Sequence, residues 1–265
     1  MNTQISYSDL PLLTCSVEEN VEQLVNHGAD KIELLMDGIQ WNCMDEQIKK
    51  IGKALRLHHC TFSVHPPAWD TNLTSENQAI RTASYEEYKK AIEFAHEIEA
   101  EHVVIHPGFC FSPAFDKVVA QQRAQEYLHQ LCQVAGPLGV KLAVENVGYN
   151  GASIYSEQEY LSCLDQLDHT AGYLIDTGHA HLNGWDIPQM IRSVKERLFS
   201  VHIHDNSGVG DEHLPIGEGS IHWQPIYNAL QEVDTPCQLI LEYSPGTALN
   251  HLVKGKQLLR QHLAL

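Results

Sequence analysis

Acidic and histidine side chains recur in this sequence at the ends of short apolar runs. TFSVH closes on His65, HVVIH on His106, and KLAVEN on Glu145 and Asn146. GYLIDTGHAH carries Asp176, His179 and His181, SVHIHD carries His202, His204 and Asp205, and QLILEY carries Glu242. The stretch DEHLPIGEG adds Asp211 and His213, two residues apart. Imidazole nitrogens and hard carboxylate oxygens, with no thiolate among them, form a donor set suited to Zn²⁺, Mn²⁺, Co²⁺ or Fe²⁺. A carboxylate at the end of an apolar strand is partly desolvated, and it is tolerated when it is paired or ligates a metal. One histidine in such a place is more often a hydrogen-bonded structural residue. Successive runs from the third to the eighth, all bearing Asp, Glu or His at the same end, point to a divalent-metal site.

Side chains scattered over so much of the chain need a scaffold that gathers strand ends. Two further runs, QISYSDL and KIELLM, precede the six, and helix-period segments separate all eight from one end of the chain to the other. Those segments are residues 16–28, 45–57, 75–100, 116–136, 156–167, 187–198, 223–233 and 249–263, with Ser16 an N-cap and Gly28 a stop for the first. Strand and helix alternating without a linker predict an α/β fold, a single (β/α)₈ TIM barrel over residues 1–265. An open doubly wound sheet is the other reading, and no G-x-G-x-x-G follows the first strand to support it. A barrel builds its active site at the C-terminal ends of its strands, where these donors fall.

The 17 basic against 34 acidic residues leave a formal charge of -17, which counts against nucleic acid and anionic membrane as partners. No apolar stretch is long enough to span a bilayer, and MNTQISYSDL lacks the features of a signal peptide, so a cytoplasmic enzyme is expected. The seven cysteines, Cys15, Cys43, Cys60, Cys110, Cys132, Cys163 and Cys237, form no C-x-x-C pair and read as reduced packing residues. Among the 17 histidines, His27, His58, His59, His96, His129 and His262 fall on or beside helices and read as solvated, with His102, His169 and His222 grouped beside them. His181 and His204 read as partners that orient ligands. Trp69 and Trp185, in loops after the third and sixth strands, are candidates for lining a substrate pocket, with packing as their other reading.

ENVG, DTGHAHL, VHIHDN followed by DEHLPIGEG, and ILEYSPG together resemble the xylose isomerase-like barrel superfamily over nearly the whole chain. That superfamily holds sugar isomerases and epimerases and also the endonuclease IV group of metal-dependent nucleases. The epimerase side of the resemblance implies one metal held by Glu145, Asp176, His202 and Glu242, with Glu145 and Glu242 exchanging a proton with the substrate from opposite sides. The endonuclease IV side implies up to three zinc ions and the additional ligands His65, His106, His179, Asp211 and His213. His179 is also a candidate substrate contact.

Charge separates the two sides. Between Leu142 and Val253 the basic residues are Arg192, Lys195 and Arg197, all on one helical segment, whereas a nuclease needs cations around its metals. HPPAWD also departs from the endonuclease IV pattern, which carries a tyrosine after its strand-three histidine. The arginine that some ketose 3-epimerases carry after the strand-seven histidine is missing too, which argues against that subgroup. The expectation is a metal-dependent isomerase or epimerase acting next to a carbonyl on a carbohydrate-like small molecule, a sugar or related polyol. A zinc-dependent phosphoesterase, a metal-dependent lyase or dehydratase, and a metal-stabilised binding protein are the alternatives. The resemblance further implies that copies of the chain can associate as a homo-oligomer.

Overall fold

Eight parallel strands close into a barrel in chain order, β1 through β8, in a computed structural model that describes residues 4–41 and 44–263. The strands are β1 (Gln4–Ser8), β2 (Lys31–Leu35), β3 (Thr61–His65), β4 (His102–Ile105), β5 (Lys141–Glu145), β6 (Ala171–Asp176), β7 (Leu198–Ile203) and β8 (Gln238–Leu241). All eight expected strands are present. They are short and apolar because each is covered by helices outside and by its fellow strands inside. Ile32, Leu34, Val64, Val103, Leu142, Ile175 and Leu239 are wholly buried in this way.

The described helices are α1 (Val17–Asn26), α2 (Met44–Leu55), α3 (Gln78–Glu97), α4 (Lys117–Leu138), α5 (Glu157–Ser162), α6 (Thr177–Leu182), α7 (Ile187–Val194), α8 (Trp223–Gln231) and α9 (Asn250–Leu263). Ser16 caps α1 as expected, within a capping box completed by Glu19. None of the described helices is long and apolar enough to cross a membrane.

Two helical segments differ from expectation. α5 stops at Ser162, short of the expected Leu167, because the Arg197 guanidinium takes the carbonyls of Leu164, Leu167 and Asp168 and holds that stretch as turns. α6 starts directly on Asp176, whose carboxylate accepts the His179 backbone N–H at 2.6 Å, so a strand end becomes a helix cap without a loop.

Cys110, Cys132, Cys163 and Cys237 are buried and Cys15 and Cys60 half-buried, all unpaired; Cys43 lies outside the described residues.

Strand register sets up the site. Asp176 on β6 is paired with His202 on β7, and Glu145 on β5 is paired with Leu174, two residues before Asp176. Asn146 locks the same corner: its amide donates to the Asp176 carbonyl at 3.0 Å and its side-chain oxygen accepts the Asp176 N–H at 2.7 Å.

Candidate metal centre and cavity

His202 stands at the middle of the gathered strand ends with no exposed surface. Its Nδ1 lies 3.2 Å from Glu242 Oε2, 3.6 Å from Asp176 Oδ2 and 3.7 Å from Glu145 Oε1, and it has no hydrogen-bond partner. Donors about 2.1 Å from a tetrahedral ion stand about 3.4 Å from one another. Glu145, Asp176 and His202 form one group close enough to hold a divalent cation, Glu242 lies at similar distance from Nδ1, and an orphaned buried nitrogen facing three carboxylates lacks a better partner.

Further donor groups adjoin it, among them Glu33–His202–Glu242 and His204–His213–Glu242. Glu145 Oε2 is hydrogen-bonded to His106 Nε2 at 2.9 Å and lies 3.8 Å from His65 Nε2. On the other side, Asp211 Oδ2 lies 3.1 Å from His179 Nε2 and 3.3 Å from His213 Nε2, while His179 Nδ1 reaches Glu145 Oε1 at 3.2 Å. The five expected additional donors thus form two triads, His65–His106–Glu145 and His179–Asp211–His213, each close enough to hold an ion. Glu145 is common ground, with its two oxygens turned toward different histidines.

Burial and charge oppose each other here. Burial pulls the Glu145 carboxyl upward, but the His106 and His202 rings hold it well below the usual carboxylate range. Glu242 resists burial in the same way and, beside His202, falls to about 2. Burial presses His202 down and Glu242, Glu33 and Glu145 lift it well above the ordinary imidazole value. Against the same burial, His65 is lifted to about 9 by Glu145, and His213 to about 9 by Asp211. For His106, burial wins and its value is lowered. The carboxylates dominate the centre, and positive charge is what stabilises it, whether from protons or from metal.

The loop after β7 is built to bring Asp211 and His213 back over the strand ends. Asp205 is no ligand: its carboxylate accepts from the N–H groups of Gly217 and Ile221 at 3.0 Å each and from Trp223 Nε1 at 2.8 Å, pinning the loop's return. His213 adopts φ +48°, a left-handed conformation costly for a non-glycine residue and found at functional sites.

Above the centre opens a cavity of about 350 Å³, with His65, His106, Glu145, His179, Asp211, His213 and Glu242 among its walls and Trp69, Phe109, Phe111 and Tyr149 lining it as aromatics. Among the described residues no lysine or arginine lines it.

The expected pocket residues separate here. Trp69 lines the cavity and is 61% exposed. Trp185 does not line it; its ring leans on Tyr160, whose hydroxyl is anchored to the Val144 and Leu174 carbonyls, so it packs the barrel wall. His204 joins the site through Asp176 Oδ2 at 2.9 Å, while His181 turns to Ser220 Oγ instead. His102, grouped in sequence with solvated histidines, is buried inside the barrel, where loss of hydration lowers it to about 3. Glu33 on β2, missed in sequence, is also fully buried and faces His202. Its one signal was a carboxylate inside KIELL, an otherwise strand-like run.

A family model described as a xylose isomerase-like TIM barrel matches residues 21–263. An uncharacterized protein of Methanocaldococcus jannaschii is 26% identical over 100% of this chain and 91% of its own length. The inosose isomerase of Bacillus velezensis is 22% identical over 82% of this chain and 80% of its own. Among solved structures, a D-tagatose 3-epimerase-like protein superposes with a TM-score of 0.86 at 25% identity, covering 98% of this chain and 97% of that one.

Proposed function

The chain belongs to the xylose isomerase-like TIM-barrel family, and from that premise we propose that it is a divalent-metal-dependent isomerase or epimerase of an uncharged sugar or polyol-like ketone. The observation that carries the reading is a cavity with Glu145 and Glu242 in its walls and, among the described residues, no lysine or arginine in its lining. A phosphorylated or polyanionic substrate would find only the metal and the site's histidines as counter-charges, with no lysine or arginine among the described lining residues; a neutral hydroxy-ketone needs none. Names among the relatives, an inosose isomerase and a D-tagatose 3-epimerase-like protein, agree with that substrate class.

Glu145, Asp176, His202 and Glu242 would hold the metal, with Zn²⁺, Mn²⁺, Co²⁺ and Fe²⁺ all compatible with their oxygens and nitrogen. When bound, the ion supplies Lewis-acid polarisation of a carbonyl, which acidifies the neighbouring C–H. Glu145 and Glu242, both in the cavity wall, would take and return that proton, and their depressed values keep them ionised, as a base must be before it accepts one. Trp69, Phe109 and Phe111 offer faces that hold the sugar and restrict water around the reacting carbons.

The division of Glu145 between His106 and His179 favours a second reading, a zinc phosphoesterase with two or three ions. Elemental analysis of protein purified without a chelating tag separates the two. About one ion per chain, with turnover of ketoses or inososes abolished by a chelator and restored by metal, is the expected result. Two or three zinc ions per chain together with cleavage of a small phosphodiester would replace the first reading by the second. Glu145→Gln is expected to lower kcat by about 10²- to 10⁴-fold while the fold persists; turnover at the parent rate would remove Glu145 from its role.

A further inference from the structure

We infer that Glu33, near the middle of β2, is a positioning residue that fixes which nitrogen of His202 faces the metal. The inference rests on the metal-centre reading above and concerns a residue outside the four ligands. Glu33 and His202 both have no exposed surface. Glu33 Oε1 lies 3.1 Å from His202 Nε2 as an ion-pair contact, and both are buried atoms with no hydrogen-bond partner. The other oxygen, Oε2, accepts from Ser63 Oγ at 3.3 Å, which holds the carboxylate in place.

A carboxylate at the centre of a barrel needs a reason. Layers of branched apolar side chains are usual there, yet this interior also holds Ser6, Ser63, His102, Ser200 and Gln238, all buried. Among the described residues the ion-pair partners of Glu33 are two histidines, His202 at 3.1 Å and His102 at 4.0 Å, with no lysine or arginine. β2 and β7 are separated in the ring by β1 and β8, so Glu33 meets His202 across the interior and not along a shared sheet edge.

The chemistry follows from the two ring nitrogens. Nδ1 faces Glu242, Asp176 and Glu145, and a nitrogen that ligates a cation must present a lone pair there. The ring proton then resides on Nε2, whose nearest acceptor is Glu33 Oε1. A carboxylate accepting that proton holds the tautomer and the ring plane and increases the donor strength of Nδ1, the arrangement by which outer partners tune metal affinity. Ser63 extends the same chain one step further.

The test compares zinc affinity of the full-length parent and Glu33→Gln by competition with a chromophoric chelator, alongside circular dichroism and thermal melting of both metal-free proteins. Glu33→Gln is expected to keep the fold and weaken zinc binding by about ten- to a hundredfold, with Glu33→Asp intermediate. Zinc affinity within twofold of the parent overturns the inference and leaves the metal centre standing. A parent that binds no zinc, manganese, cobalt or iron overturns both. Should Glu33→Gln fail to fold, a crystal structure of the zinc-loaded parent decides: Nδ1 of His202 toward the ion with Nε2 against Glu33 is expected, and a ring turned so that Nε2 ligates overturns the assignment.

Discussion

Asp9 follows β1 and ties the first two strands at the mouth of the barrel: its carboxylate accepts from Leu35 N at 2.8 Å and Asn20 Nδ2 at 2.9 Å. Leu10 and Leu35, the neighbours it anchors, line the cavity. Burial without a cation pushes this carboxyl up to about 7, despite those two donors. The sign of the consequence is set by the proton. Between the ordinary 3.8 and about 7 the folded chain holds a proton that the unfolded chain releases, so this group stabilises the fold at low pH and the contribution is lost as pH rises through about 7. Asp9→Asn removes the titration and keeps an acceptor for Leu35, and Asn20 Oδ1, which has no partner, can accept from the new amide. Thermal melts of metal-free parent and Asp9→Asn are therefore expected to diverge from pH 5 to pH 8, with the parent losing stability relative to the variant. Parallel curves would refute the assignment.

The junction of β6 with α6 concentrates the site's geometry in four residues, Asp176 to His179. Asp176 serves at once as strand end, helix cap and donor to the centre. Gly178 makes the junction feasible, because a Cβ there would come 2.1 Å from His204 Cε1, and His204 is the ring that braces Asp176. Helix propensity alone favours Gly178→Ala by about 1 kcal/mol. Overpacking costs about 1–3 kcal/mol and displaces His204, so a net loss of stability and weaker metal binding are expected from chemical denaturation and metal titration; a stabilised variant with parent affinity would show that the close contact is relaxed without cost. This junction also marks how far the sequence could be read. The strands were legible because each is an apolar run bounded by breakers, and Glu145, Asp176, His202 and Glu242 were legible because they end such runs. Glu33 and His102 were not: pattern reading assigns polar residues to solvent, whereas a barrel hides them on its inner face. Trp185 stayed open between two readings, since a loop tryptophan carries no mark of whether it faces cavity or wall, and the structure has it packed on Tyr160.

At the scale of the whole molecule, the charge of -17 and a cavity with no lysine or arginine among its described lining residues have separable consequences for what approaches. An acidic field raises the local concentration of divalent cations and steers them toward a centre built from Glu145, Asp176, Asp211 and Glu242. Salt shortens the reach of that field from about 30 Å at 0.01 M to about 8 Å at 0.15 M. Stopped-flow association of Co²⁺ with the metal-free protein is accordingly expected to slow severalfold across that range. A neutral sugar feels no such steering, so kcat/KM of the metal-loaded protein for the proposed ketone substrate should change by less than about twofold over the same salts. An anionic substrate behaves differently: repulsion by the acidic face is relieved as salt rises, and kcat/KM climbs. A rising profile would therefore contradict the uncharged-substrate reading and leave the metal centre standing, because it would reveal a charge on the substrate that no described lysine or arginine of the cavity meets.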